Sequence, residues 1–323
     1  MQKKMMNSQI DQEIAAKILA SQRFLITSHI RPDADAVGSL LGLGLALMKL
    51  GKSVQMVLED GADKYDYLPG QEHVIRAPSG EVDMVIIVDC SELDRVGNVL
   101  DGYGQPDLVV DHHKTNLSFG AINVVEPEQV ATGAILFDRL PAWGLSFDSD
   151  VAMCLLAAIV GDTIGFRTPN VDAEVLRKCA TLIDLGGDLT HVYNEELVMR
   201  PFTAVHYWGF GLQRLERQGD LVWSSLTLAD RKETGYDQDD DANLVNVLSS
   251  VREAKIAIIF VEQPDQSVKI SWRSRPGADV SGIATQFGGG GHAAAAGADV
   301  AGTLEDVQHR VIQKTLELLE DIK

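Results

Sequence analysis

Four short segments of the sequence are dense in side chains that bind divalent cations: His29-Ile-Arg-Pro-Asp33-Ala-Asp35, the single Asp89, Asp111-His112-His113, and Gly161-Asp162-Thr163. Taken together, His29, Asp33, Asp35, Asp89, His112 and Asp162 offer four carboxylates and two imidazoles. That set serves two ions only if one carboxylate bridges, and Asp89, central in the order, is the natural bridge. Two cations about 3.5–4 Å apart can hold both the attacking oxygen and the phosphoryl oxygens of an in-line displacement, and they offset the charge a phosphate meets among carboxylates. Mixed oxygen and nitrogen donors favour Mn²⁺, or another divalent transition metal, over Mg²⁺, which prefers oxygen and water. The chemistry expected is Mn²⁺-dependent phosphoester hydrolysis.

Each piece has a plainer reading. Asp35 is a ready N-cap for a helix starting at Ala36, Asp89 and Asp162 suit turns, and a lone histidine is commonly packed and hydrogen-bonded. Four such coincidences at one edge of a sheet are harder to accept than one metal centre. A second motif is Gly288-Gly289-Gly290-Gly291-His292, followed by a small-residue, helix-like run Ala293–Ala296 and preceded by Arg273 and Arg275. Consecutive glycines let the backbone approach a ligand and turn several N–H groups toward an anion, while His292 and Arg273 add charge-assisted phosphate contacts. Arg275, beside Pro276, reads better as a solvated turn charge.

The elements that must position these residues are legible from hydrophobic patterning. Strands are expected at 23–28, a short apolar run, and at 53–58, and the continuous apolar runs at 84–88 and 108–110 fit parallel strands covered on both faces. Helical stretches are expected at 36–50, 131–140, 150–160, 172–185 and 190–197. Three of the four motifs directly follow such a strand, and parallel strands all end at one sheet edge, where ligands bind in open α/β sheets. From residue 201 to 218 an aromatic and basic helix-like segment connects to a strand-rich remainder, with an alternating, half-exposed strand at 221–228 and a helix at 243–251. Two strands at 255–261 and 267–272 joined by Pro264-Asp265 and a final helix at 304–322 follow. The expected fold class is α/β, with a doubly wound, mainly parallel N-terminal sheet domain over residues 1–195, a connecting helix over 196–215 and a smaller α+β domain over 216–323.

With 28 Lys and Arg against 47 Asp and Glu, the net charge is −19, which removes the general attraction to phosphate backbones that long duplex binding draws on. The three cysteines, Cys90, Cys154 and Cys179, lie in apolar runs without C-x-x-C spacing and fit buried thiols in a reducing cytoplasm. The N-terminus lacks the apolar core of a signal peptide, and no run approaches the ~20 apolar residues of a membrane span.

These motifs resemble the DHH phosphoesterase superfamily, in the branch with a DHHA1 C-terminal domain, over essentially the whole chain. His29-x-x-Pro-Asp33-x-Asp35-Ala-x-Gly-Ser is similar to the first family motif, Asp89 to the second, Asp111-His112-His113 to the naming motif and Gly161-Asp162-Thr163 to the fourth. The Gly288–Gly297 loop is similar to the DHHA1 signature, which disfavours the branch of family-II pyrophosphatases. One departure is Ala34, where the family usually has Gly.

The resemblance implies that His29, Asp33, Asp35, Asp89, His112 and Asp162 ligate two Mn²⁺ ions, that Asp111 orients a neighbouring imidazole and that His113 contacts the scissile phosphate. It further implies that Arg273, Gly288, Gly289, Gly290, Gly291 and His292 hold the other end of the substrate. Size and layout resemble the stand-alone nanoRNases that also dephosphorylate 3′-phosphoadenosine 5′-phosphate (pAp). The expected substrates are short oligoribonucleotides, pAp or dinucleotides, without long duplex or membrane partners, and a homodimer is compatible with the family. The enzymatic rival is a cyclic- or linear-dinucleotide phosphodiesterase using the same residues, and the rival from another class is a catalytically silent nucleotide-binding protein.

Overall fold

Apolar β-branched runs such as Met84-Val-Ile-Ile-Val88 and Leu108-Val-Val110 can be satisfied only where both faces are covered, and the computed structural model, which describes residues 2–321, buries both completely. The first of two compact units spans residues 1–199. Its elements are α1 (Gln2–Ala20), β1 (Arg23–Thr27), α2 (Ala34–Lys49), β2 (Ser53–Val57), β3 (Val74–Ile75), β4 (Met84–Val88), β5 (Leu108–Asp111), β6 (Ile122–Val125), α3 (Thr132–Arg139), α4 (Ser149–Asp162), α5 (Ala173–Asp184) and α6 (Leu189–Tyr193). The strands form a six-stranded parallel sheet in the order β3-β2-β1-β4-β5-β6. The order reverses between β1 and β4, the switch point at which loops from both halves diverge and leave a crevice.

Helices α2 and α4 cover one face in close contact, and their glycines explain how they approach so nearly. A Cβ on Gly38 would fall 2.4 Å from the Cys154 carbonyl oxygen, and one on Gly161 would fall 2.4 Å from Cβ of Ala34. The methyl of Ala34 is thus accommodated by the glycine opposite.

Two parallel strands escaped the sequence reading. β3 has two residues, too few for a pattern, and β6 carries Asn123 within its apolar run. Helix α1 is a further addition to the expected elements, its Ile10, Ile14 and Ile18 recurring at helical spacing and packing into the core.

The second unit, residues 200–323, contains α7 (Phe202–Gln213), β7 (Glu216–Gln218), β8 (Leu221–Leu226), α8 (Leu228–Thr234), α9 (Leu244–Leu248), β9 (Ile256–Glu262), β10 (Ser267–Ser274), α10 (Ser281–Gln286), β11 (Gly290–His292), β12 (Ala295–Ala301) and α11 (Leu304–Asp321). Its mixed sheet runs β11-β12-β10-β9-β8-β7. Two expectations are corrected here. The segment after the glycines is not helix-like: residues 295–301 form strand β12, because Ala and Gly pack flat between β10 and β11. Strand β8 is buried along its whole length rather than half-exposed, since Leu221 and Trp223 enter one apolar cluster while Val222 and Leu226 enter another.

Candidate metal centre

The groups singled out in the first unit arrive from the C-terminal ends of β1, β4 and β5 and the end of α4. Beyond β1, the His29 ring places Nδ1 2.8 Å from the Ile30 carbonyl oxygen, so Nδ1–H is the donor and Nε2 faces Asp89, 3.6 Å from Oδ2. Asp33, not Asp35, caps α2: its Oδ1 accepts from Asp35 N and Ala36 N at 3.1 and 3.0 Å, because the helix starts at Ala34.

That start turns the buried Asp35 carboxylate toward α3. The N-cap of α3, Ala131, has no side-chain acceptor, and Asp35 supplies it from another helix, accepting from Thr132 N at 2.6 Å and Gly133 N at 2.9 Å. Ser39 Oγ donates a third hydrogen bond to Asp35 at 3.0 Å.

Asp89 stands at the centre. Its φ is +53°, a left-handed conformation that a non-glycine residue adopts at a cost and that here turns the carboxylate into the crevice. Thr132 Oγ1 donates to Oδ1 at 3.1 Å. Oδ1 lies 3.7 Å from His112 Nε2, while Oδ2 faces His29, so the two oxygens look toward different imidazoles. His112 Nε2 is in turn 3.7 Å from Asp35 Oδ2 and 3.5 Å from Asp162 Oδ2, and its Nδ1 lies 3.4 Å from the Gln129 carbonyl oxygen. Ligand atoms of His29, Asp33 and Asp89 lie within 4.8 Å of one another, as do those of Asp35, His112 and Asp162, and those of Asp89, His112 and His113.

Asp111, the buried last residue of β5, belongs to none of these groups of atoms. Its Oδ1 pairs with His113 Nδ1 at 2.7 Å, and its Oδ2 accepts from Asn116 Nδ2 at 2.6 Å. Asn116 also donates to the Cys90 carbonyl at 3.0 Å. Sequence reasoning assigned no role to Asn116 or Thr132. Asn116 sits five residues beyond Asp111 in the same loop, a weak signal, whereas nothing in the sequence ties Thr132 to Asp35 or Asp89, which lie 97 and 43 residues away.

Burial, and then the neighbouring Asp89 and Asp162 charges, hold the Asp35 carboxyl well above the ordinary carboxylate range. Burial likewise pushes Asp162 up to about 6, His112 notwithstanding. Burial would raise Asp89 too, but His29, His112 and His113 around it reverse the sign and bring it down to about 2. For His113, burial is outweighed by Asp111 and Asp89, which push the imidazole up to about 9.

The donor set fits divalent cations. The imidazole–carboxylate separations of 3.5–3.7 Å are too long for hydrogen bonds. Bonds of about 2.1 Å at octahedral or tetrahedral angles place neighbouring donors about 3.0–3.4 Å apart, so small adjustments would let the same atoms share an ion. Positive charge would also relieve the repulsion that raises Asp35 and Asp162.

In the second unit, Arg273 Nε donates to Asn246 Oδ1 at 3.0 Å and Nη1 to the Trp272 carbonyl at 3.0 Å. Burial lowers the pKa of its guanidinium. Arg275 is not merely a solvated turn charge, because its guanidinium donates to the Arg252 and Val251 carbonyls at 2.8 and 2.9 Å. Gly288 and Gly291 have φ of +77° and +139°, and a Cβ on Gly289 would fall 2.0 Å from the Gly297 carbonyl oxygen. The glycines therefore permit close backbone approach inside a hairpin. Arg273 and His292 both pair with Ala295, from opposite sides, which sets them in one row across three strands.

Among the described residues no helix is long and apolar enough to cross a membrane. The family model for the DHH family N-terminal domain matches residues 23–159, and that for the DHHA1 domain matches residues 221–321. The chain is 33% identical over 302 residues to the bifunctional oligoribonuclease and PAP phosphatase NrnA of Thermus thermophilus, covering 91% of this chain and 89% of that one. Identity to the protein of the same name from Bacillus subtilis is 24% over 293 residues, covering 89% and 92%. The crystal structure of an exopolyphosphatase-related protein from Bacteroides fragilis shares the fold, with a TM-score of 0.88 at 23% identity over 95% of both chains. With both domain models matched in order and a relative similar along nearly its full length, this chain belongs to the DHH–DHHA1 phosphoesterase superfamily and is a hydrolase of phosphoric esters.

Proposed function

We propose that the chain hydrolyses very short oligoribonucleotides to mononucleotides and pAp to AMP, using two Mn²⁺ ions. The observation that carries this reading is the pair of ligand groups on either side of Asp89, His29 with Asp33 and Asp35 with His112 and Asp162. His29, Asp33 and Asp89 would hold one ion, and Asp35, His112, Asp162 and the shared Asp89 the other. When bound, such ions supply a nucleophile at neutral pH and stabilise charge on the phosphoryl oxygens.

The remaining work falls to the chain's own side chains. Asp111 fixes the His113 ring through Nδ1, so the imidazole would be held in one orientation for contact with the scissile phosphate. Thr132 and the N-terminal N–H groups of α3 hold Asp35 and Asp89 against rotation, so their oxygens are positioned before substrate arrives. Arg273, Gly288, Gly289, Gly290, Gly291 and His292 would supply contacts to the substrate from the second unit. The curated relatives named as oligoribonucleases and PAP phosphatases support the substrate class. A net charge of −19 supports short rather than long nucleic acids, and three free, buried cysteines support a cytoplasmic setting.

The test is a panel of pAp, oligoribonucleotides of two to five residues, linear pApA and cyclic di-AMP, with product lengths resolved and Mn²⁺ titrated. Mn²⁺-dependent release of AMP from pAp and of mononucleotides from the short RNAs is expected. Exclusive cleavage of the cyclic dinucleotide, or turnover unaffected by chelation, overturns the reading.

A further inference from the structure

Helix α5 is amphipathic, and its buried face carries Val175, Cys179 and Leu182 together with one charged residue, Lys178. A buried ammonium is costly unless its donors are all used, and an unbranched apolar side chain would fill the same place without that cost. All three donors are used here: Lys178 Nζ lies 2.5 Å from Asp138 Oδ2, 3.0 Å from Gln129 Oε1 and 3.4 Å from the Ala134 carbonyl oxygen. Gln129 Nε2 also donates to Asp138 Oδ2 at 3.2 Å, so the Gln129 amide is gripped at both its oxygen and its nitrogen.

Gln129 belongs to the turn between β6 and α3, where its own N–H returns to the Glu126 carbonyl at 3.0 Å and Glu126 N donates to the Asp111 carbonyl at 2.9 Å. Its carbonyl oxygen is the group facing His112 Nδ1. A carbonyl can only accept, so this contact selects the tautomer with hydrogen on Nδ1 and a lone pair on Nε2, the nitrogen that faces Asp35, Asp89 and Asp162.

We infer that Lys178 is a positioning residue for His112, holding Gln129 so that its carbonyl fixes the ring and tautomer needed for metal ligation. The inference rests on the two-ion reading proposed above. Lys178 lies behind Gln129 and acts on His112 through it.

The experiment compares wild type with Lys178→Met and Gln129→Leu, both as full chains. Three quantities are measured: the His112 tautomer by ¹⁵N NMR of the metal-free protein, Mn²⁺ affinity by calorimetry, and pAp hydrolysis across Mn²⁺ concentrations. Lys178→Met is expected to mix the His112 tautomers and weaken Mn²⁺ binding about 10–100-fold, with hydrolysis largely recovered at high Mn²⁺. Gln129→Leu, which keeps the carbonyl but frees it, is expected to move all three readouts the same way by less, and it carries the test if Lys178→Met does not fold. Folded variants with an unchanged tautomer and unchanged Mn²⁺ affinity overturn the inference and leave Lys178 a staple between α5 and Asp138. A wild type that binds no Mn²⁺ and hydrolyses no pAp instead overturns the functional reading beneath it, and the tautomer measurement still reports on Lys178 itself.

Discussion

The two six-stranded sheets of this chain treat polar groups in opposite ways. At the C-terminal edge of the parallel sheet Asp35, Asp89 and Asp111 are buried, His113 is half-buried, and all four are tied down: Asp35 by the start of α3, Asp89 by Thr132, His113 by Asp111 and Asp111 by Asn116. In the mixed sheet the proposed contacts are more open, with an exposed glycine edge strand, the exposed His292 and an Arg273 held at two of its nitrogens. Under the function proposed above, the difference would separate two tasks. A site that must collect like charges needs rigid support built before any ion arrives, whereas a surface that grips the variable end of a substrate needs backbone access and one or two fixed charges.

Four substitutions test that contrast. The largest effect belongs to the buried cluster: Asp89→Ala should lower Mn²⁺-dependent hydrolysis of pAp at least about 10²–10³-fold, and turnover within tenfold of wild type in a saturation assay would deny it the bridging role. In the second unit, Arg273→Ala should raise KM for short oligoribonucleotides about tenfold to hundredfold, as loss of a charge-assisted contact does, while kcat moves little. Steady-state kinetics in which kcat falls instead would place Arg273 with the reacting atoms and erase the contrast.

Thr132→Val keeps shape but removes the donor to Asp89, and Mn²⁺ affinity measured by calorimetry should fall about tenfold. An unchanged affinity would show that the N–H groups of α3 suffice.

The smallest effect tests stability away from either site. Arg214 holds Asp230, the N3 residue of a capping box on α8, so that, burial notwithstanding, its pKa lies below the ordinary carboxylate value. A depressed folded-state pKa means the stabilisation is present above the unfolded pKa and is lost as pH falls through the folded one. Asp230→Asn should therefore lower Tm by about 2–4 °C at neutral pH, and the gap should close as acid titrates Asp230. A gap that widens in acid would reverse the assignment.

Much of the fold was readable because burial on both faces leaves an unmistakable mark on a strand: MVIIV and LVV could hardly be anything else, and Gly51 marks the end of the helix before it. β8 misled because its apparent alternation reflected two separate apolar clusters rather than solvent on one side. The residues after the glycines misled because the four alanines 293–296 suit a helix by propensity and a flat hairpin by size, and only pairing with β10 chooses between them.

Residue types and hydrophobic patterning carry the inventory: the donor types, their attachment to strand ends, and so their convergence on one crevice, because parallel strands must end together. Which atoms face which depends on how distant segments pack. That Asp35 caps a helix 97 residues away, that Thr132 steadies Asp89, and that a buried lysine on α5 reaches the turn behind His112 all follow from how helices pack. Helix packing is set by close approaches such as that between Gly38 and Cys154, contacts between distant positions that no local pattern encodes.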